Sequence, residues 1–166
     1  MTLRDQANFI LTALNDWATP ASGRVFMASD VIDCIEQLRL KPGVPAIALL
    51  WIDETPRGEN EFAGRVDRTW KVIISRARGL KLQSGESLTE GASGGGPLFD
   101  LVEQVREVLL ALRLPAPEDG LTYEVAGEDT VPAYKGASPF EVQGLILDAI
   151  EIKFTLAAQI TVQLPL

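Results

Sequence analysis

The chain has 166 residues, 46% of them hydrophobic, with 15 basic and 23 acidic side chains and a net charge of −8. That length suits one domain with a real core, and the apolar share excludes disorder as the main state. The acidic balance argues against a basic stripe that grips nucleic acid, because the basic residues are scattered.

The closest basic group, Arg65, Arg68, Lys71, Arg76 and Arg78, is interleaved with Asp67 and follows Glu59 and Glu61. The longest apolar run, Ala46 to Ile52, is too short to cross a bilayer, so no membrane role is expected. The start, Met1-Thr2-Leu3-Arg4-Asp5-Gln6, does not read as a secretory signal. Cys34 is the single cysteine and reads as a small buried apolar residue, so the compartment is taken as cytosolic or indifferent to redox state.

Residues 2–16 predict an amphipathic helix with Thr2 as its N-cap and Leu3, Ala7, Ile10, Leu11 and Leu14 on one stripe. Pro20 and Gly23 break the pattern. Residues 30–40 predict a shorter helix capped by Ser29, with Val31, Ile35 and Leu38 inward and Lys41-Pro42-Gly43 as its stop. Pro45 to Asp53 reads as a buried strand. Residues 54–68 read as a polar, charged loop, expected to be mobile.

Thr69 to Arg78 predicts a second strand, with β-branched Val72, Ile73 and Ile74. Gly79 to Gly96 is rich in glycine and serine, and a mobile loop is expected over about 80–96. Pro97 opens a strong helix to about Leu112, with Leu98, Leu101, Val102, Val105, Val108, Leu109 and Leu112 as its apolar face. Pro115 and Pro117 end it. Leu121 to Val125 reads as a short strand, and Gly127 to Gly136 as a turn-rich stretch that could hold part of a hairpin.

Residues 144–164 carry the loudest signal, with Asp148 the place where a break would fall. From Ile150 to Leu164 every even position is apolar, and the odd positions are mostly polar. Period two marks a strand with one buried face. Such a run would extend about 50 Å at about 3.3 Å per residue, so it is expected to bend across two sheets or to project. A projecting strand exposes an edge that invites pairing with a neighbour. The expected fold class is α+β, one domain over residues 1–166, with a mostly antiparallel sheet and helices packed on one face in the order α-α-β-β-α-β-β.

Catalytic signals are weak. The chain has no histidine, which removes the Ser-His-Asp triad, the Cys-His dyad and histidine-built metal sites. Gly91-Ala92-Ser93-Gly94-Gly95 matches the spacing of a nucleophile elbow but lacks the preceding strand and the base. Pro97-Leu98 stands where a phosphate loop needs Lys and Ser or Thr. The carboxylate clusters Asp53-Glu54, Glu59 with Glu61, Glu118-Asp119 and Glu128-Asp129 read as solvated loop charge. No catalytic residue, metal or cofactor is assigned. Trp51, inside an apolar strand, is expected in the core. Trp70, beside the charged stretch, reads as core or as an interface anchor, and Trp17 is even between the two.

The layout resembles the tail terminator, or tail completion, proteins of long-tailed bacteriophages and related contractile particles. The likeness lies in the N-terminal helix, the strands Ala46–Asp53 and Thr69–Arg78 around a charged loop, the helix opening Pro97-Leu98-Phe99-Asp100-Leu101-Val102-Glu103-Gln104-Val105-Arg106, and the alternating terminal strand. The resemblance implies a non-enzymatic virion subunit of the tail or neck, assembled in the host cytoplasm. Copies of the chain, commonly six, would close into a ring that stops tube growth. Its partners would be itself, the tail tube protein and a head-neck connector, with DNA passing through the lumen without specific binding.

The expected contact residues are Arg57, Glu59, Glu61, Arg65, Arg68, Trp70, Thr155, Gln159, Thr161 and Gln163. The alternatives are another neck, tube or baseplate adaptor of a phage or injection machine, and a small-molecule- or peptide-binding domain.

Overall fold

The computed structural model describes residues 2–17, 25–30, 32–33, 36, 44–56, 64–77, 89, 96–113, 133–139 and 147–159. Helix α1 spans Leu3–Trp17. It starts where Thr2 and Asp5 cap each other: the Asp5 amide donates to the Thr2 hydroxyl at 3.1 Å, and the Asp5 carboxylate accepts from the Thr2 amide and hydroxyl at 3.1 and 2.7 Å. This is a capping box with aspartate at its third position. The Thr2 hydroxyl and amide hold the Asp5 carboxyl below its ordinary value. The face turned inward carries Gln6, Ala7, Ile10 and Leu14.

Strands β1 (Val25–Met27), β2 (Ala46–Pro56) and β3 (Arg65–Ala77) follow. Helix α2 (Leu98–Ala111) comes next, then β4 (Ala133–Pro139) and β5 (Leu147–Gln159). The sheet order is β1-β2-β3-β5-β4. Among the described strands only β1 and β2 pair in parallel. The fold is α+β with a mostly antiparallel sheet, as the grouped strands suggested.

Both helices cover one face. Leu98, Val102, Val105 and Leu109 of α2 are buried, matching the expected stripe. They pack with Ile10 and Leu14 of α1 onto Ile47 and Leu49 of β2, Trp70, Val72 and Ile74 of β3, and Ile150, Ile152, Phe154 and Leu156 of β5. Pro97 caps α2 with ψ 140° instead of entering its first turn. A polar link crosses this core: Trp70 Nε1–H donates to Gln6 Oε1 at 3.1 Å, and Gln6 Nε2 donates to the Ala157 carbonyl at 3.4 Å. Gln6 and Trp70 are both fully buried, so each needs its partner.

Several expectations change. Residues 54–68 are not one loop: Glu54–Pro56 extend β2 and Arg65–Arg68 open β3, paired from Glu54↔Arg68 to Pro56↔Val66. Their charge looked like solvated loop, but Arg68 and Glu54 satisfy each other across the ladder at 2.6 Å. β5 is not a projecting edge over its first part. It lies between β3 and β4, and Ile150 to Thr155 are paired on both sides. No break occurs at Asp148, which stands opposite Arg76.

β4 occupies residues read as turn-rich and runs beyond them, and its register shifts between Tyr134 and Gly136. Gly136 takes φ +114° there, a conformation suited to glycine. At the second expected helix, the Asp33 amide donates to Asp30 at 3.0 Å and the Ser29 amide donates to Asp33 at 2.9 Å. Most of residues 30–40, the 80–96 stretch and the strand expected at 121–125 lie outside the described residues, as do Cys34 and Ser93.

Candidate functional site

The expected contact residues do not gather on one surface. Arg65 is exposed on the sheet face away from the helices, and Thr155 is half-buried on the same face, opposite Thr69 and Ala133. Gln159 pairs with Arg65 through its backbone. Arg68 is buried on the helix side and paired to Glu54. Trp70 is 0% exposed and sits in the core, so its side chain offers nothing to a neighbour. Arg57, Glu59, Glu61, Thr161 and Gln163 lie outside the described residues.

The second correction concerns Trp51. It stands opposite Trp70 in register, yet it is 43% exposed. β2 slips by one residue between Trp51 and Asp53, which makes Ile52 a bulge. The slip inverts the pattern of faces. Ile47, Leu49 and Trp51 share parity with the helix-side residues of β3, whereas beyond the bulge Glu54 takes that side and Asp53 the other. Asp53 and Glu54 therefore point to opposite faces and cannot act as an acid-base pair.

The edge of β2 is the feature sequence reasoning missed. β1 pairs with β2 only over Ile47, Ala48 and Leu49, and the last bond on that edge is Ala28 N–H to the Leu49 carbonyl at 2.9 Å. Beyond it, among the described residues, Leu50–Pro56 have no strand on the side away from β3. Ile52, next to Trp51, and Met27, opposite Leu49, are each 44% exposed. An open edge with large apolar side chains can take a further strand through main-chain bonds and side-chain contact. An apolar run reads as core whichever way its bulge turns it, so no signal in the sequence marked these residues as exposed.

A charged cluster lies on the face away from the helices. Lys71 Nζ is 2.7 Å from Glu151, Lys153 Nζ is 3.2 Å from it, and Ser138 Oγ donates to it at 3.5 Å. Burial pushes the Glu151 carboxyl up, but the hydrogen bonds and charges of Lys71 and Lys153 together outweigh that and hold it below its ordinary value. Beside this cluster the same face is apolar and small, with Ala28, Ala48, Leu50, Ile73 and Ala149 buried.

Among the described residues no group of three or more acidic or cysteine side chains is placed to hold a metal. Compared with protein-family models and with curated proteins, the chain matches none.

Proposed function

We propose that this chain is a ring-forming structural subunit of the tail terminator kind, which closes on the end of a tail tube, stops its growth and joins it to the neck. The observation that carries the reading is the β2 edge, which has no strand beyond Leu49 among the described residues, with Trp51 and Ile52 exposed. The stretch also carries Asp53, Glu54, Pro56 and the bulge, which guard an edge against indiscriminate pairing and leave Trp51 and Ile52 as apolar contacts for a specific partner. The α+β layout, with an N-terminal helix and α2 on one face of the sheet, supports the same reading. The expected order α-α-β-β-α-β-β left out β1, and its second helix over 30–40 belongs to this proposal. The partners are further copies, the tube protein and a connector. The net charge of −8 suits a lumen that lets DNA slide past.

Negative-stain imaging and solution mass, each with and without isolated tail tubes, test the reading. The expected result is a closed ring, free or seated on tube ends. Protein that neither self-associates nor binds tubes overturns it.

A further inference from the structure

We infer that the ring is closed by a specific strand pair: the open stretch of β2 in one copy takes β4 of the next copy, antiparallel, with Asp53 opposite Lys135. This rests on the ring reading and supplies its interface.

The argument starts from strand polarity. β2 runs opposite to β3, β3 opposite to β5, and β5 opposite to β4. β2 and β4 therefore point in opposite directions at the two sides of the sheet. A head-to-tail operation that brings one side of the sheet to the other side of the next copy, with helices on the same face, makes β4 arrive antiparallel to β2. The geometry is that of an ordinary ladder, continued from one subunit into the next.

Register follows from the faces. On β4, Tyr134 and Ala137 share the helix side with Phe154 and Ile152, while Ala133 and Ser138 share the other side with Thr155 and Glu151. On β2, Trp51 and Glu54 take the helix side, and Leu50, Asp53 and Thr55 the other. Directly opposed residues of a ladder must lie on the same face. One alignment over the full stretch satisfies this on both sides of the two bulges. It sets Leu50 opposite Ser138, Trp51 opposite Ala137, Ile52 opposite Gly136, Asp53 opposite Lys135, Glu54 opposite Tyr134 and Thr55 opposite Ala133. The slip of β2 at Ile52 and the slip of β4 at Lys135 then fall side by side, so the two strands change face in step.

The chemistry of that alignment is complementary. Asp53 and Lys135 are both exposed and opposite in charge. Trp51 gains small Ala137 as its neighbour, which leaves room for the indole. Arg106, which lies 5.9 Å over the Tyr134 ring, brings a second positive charge toward Glu54. β4 ends the sheet among the described residues, and its side chains are exposed from Ala133 to Lys135 and at Ala137 and Ser138.

The test uses the full chain with Cys34→Ala as background. Asp53→Cys and Lys135→Cys are made as separate proteins, mixed, and oxidised mildly on tail tubes. Opposed residues in an antiparallel ladder have Cα atoms about 4.5–5.5 Å apart, within reach of a disulfide. The expected product is a cross-linked dimer from the mixture and none from either protein alone. The Asp53→Cys/Lys135→Cys double variant should give a ladder ending at the closed ring. Phe99→Cys, exposed on α2, mixed with Lys135→Cys should give no product.

A charge exchange gives a second readout. Asp53→Lys or Lys135→Asp alone should weaken assembly about two- to five-fold per interface, and combining them should restore it. Rings on tube ends with no Asp53→Cys to Lys135→Cys product overturn this interface and leave the ring reading standing. No ring and no tube binding by the parent chain overturns both.

Discussion

Trp51 and Trp70 face each other across the β2–β3 ladder, yet one is 43% exposed and the other 0%. The difference teaches how one ladder serves two purposes. Trp70 lies on a middle strand, with β5 on its far side and Phe154 opposite it, and Gln6 of α1 accepts its indole proton. Trp51 lies on β2, past the last residue that β1 covers and just before the bulge. The half of the ladder beside Trp70 is a sealed core. The half beside Trp51 has a strand on one side only among the described residues.

The sharpest way to break the contrast is to charge the sealed half. Phe154→Asp and Val105→Asp each bury a carboxylate among apolar side chains, and both sites are fully buried. An unpaired buried charge costs several kcal/mol, and a domain of this size has only about 5–15 kcal/mol to lose. Neither variant should give soluble folded protein, as measured by soluble yield and near-ultraviolet dichroism. A cooperative melt at the parental temperature would show that the core is drawn wrongly.

A finer break removes one hydrogen bond. Trp70→Phe keeps most of the apolar contact but leaves Gln6 Oε1 buried without its donor. The expected loss is about 1–3 kcal/mol by urea unfolding. Adding Gln6→Leu should recover part of it, since the stranded Oε1 acceptor is removed, although the Ala157 carbonyl loses its bond from Gln6. The matching change at Trp51, Trp51→Phe, should stay within about 0.5 kcal/mol of the parent. Trp51→Ala should instead reduce ring formation while the isolated subunit keeps its melting temperature within a few degrees.

The smallest effect concerns the charged cluster. The Glu151 carboxyl is held below its ordinary 4.5 by Lys71 and Lys153, which overcome the burial that would raise it. A carboxyl depressed in the folded state stabilises above that value and loses its contribution as the pH falls through the folded one. Glu151→Gln should therefore cost about 1 kcal/mol or less at neutral pH. The gap to the parent should close as the pH falls below 4.5. A gap that stays constant on acidification would mean the pair contributes through packing, not charge.

Much of the sealed half was legible in the chain. The stripe Ala7, Ile10, Leu14 and the stripe Leu98, Val102, Val105, Leu109 appear at helical spacing, and both are buried. The alternation of Ile150, Ile152, Phe154 and Leu156 marks the inner face of β5 without ambiguity. The Thr2 cap is also visible from the sequence. The open half was not legible. Ala133-Tyr134-Lys135-Gly136-Ala137-Ser138-Pro139 has no alternation, because its bulge breaks the period and both its faces are largely exposed. The charges of Glu54 and Arg68 suggested a loop, since cross-strand neutralisation is invisible until the register is known.

The sequence by itself determined helices α1 and α2 and the inner face of β5, and hence a helix-backed sheet, because burying an apolar face leaves a period in the chain. Only the tertiary structure decided which strand stands next to which. That order seals Trp70 and leaves Trp51 open. Strand neighbours are set by backbone pairing over long separations, as between Arg65 and Gln159. The backbone of every residue but proline carries the same donor and acceptor, so such pairing leaves little mark in side-chain identity.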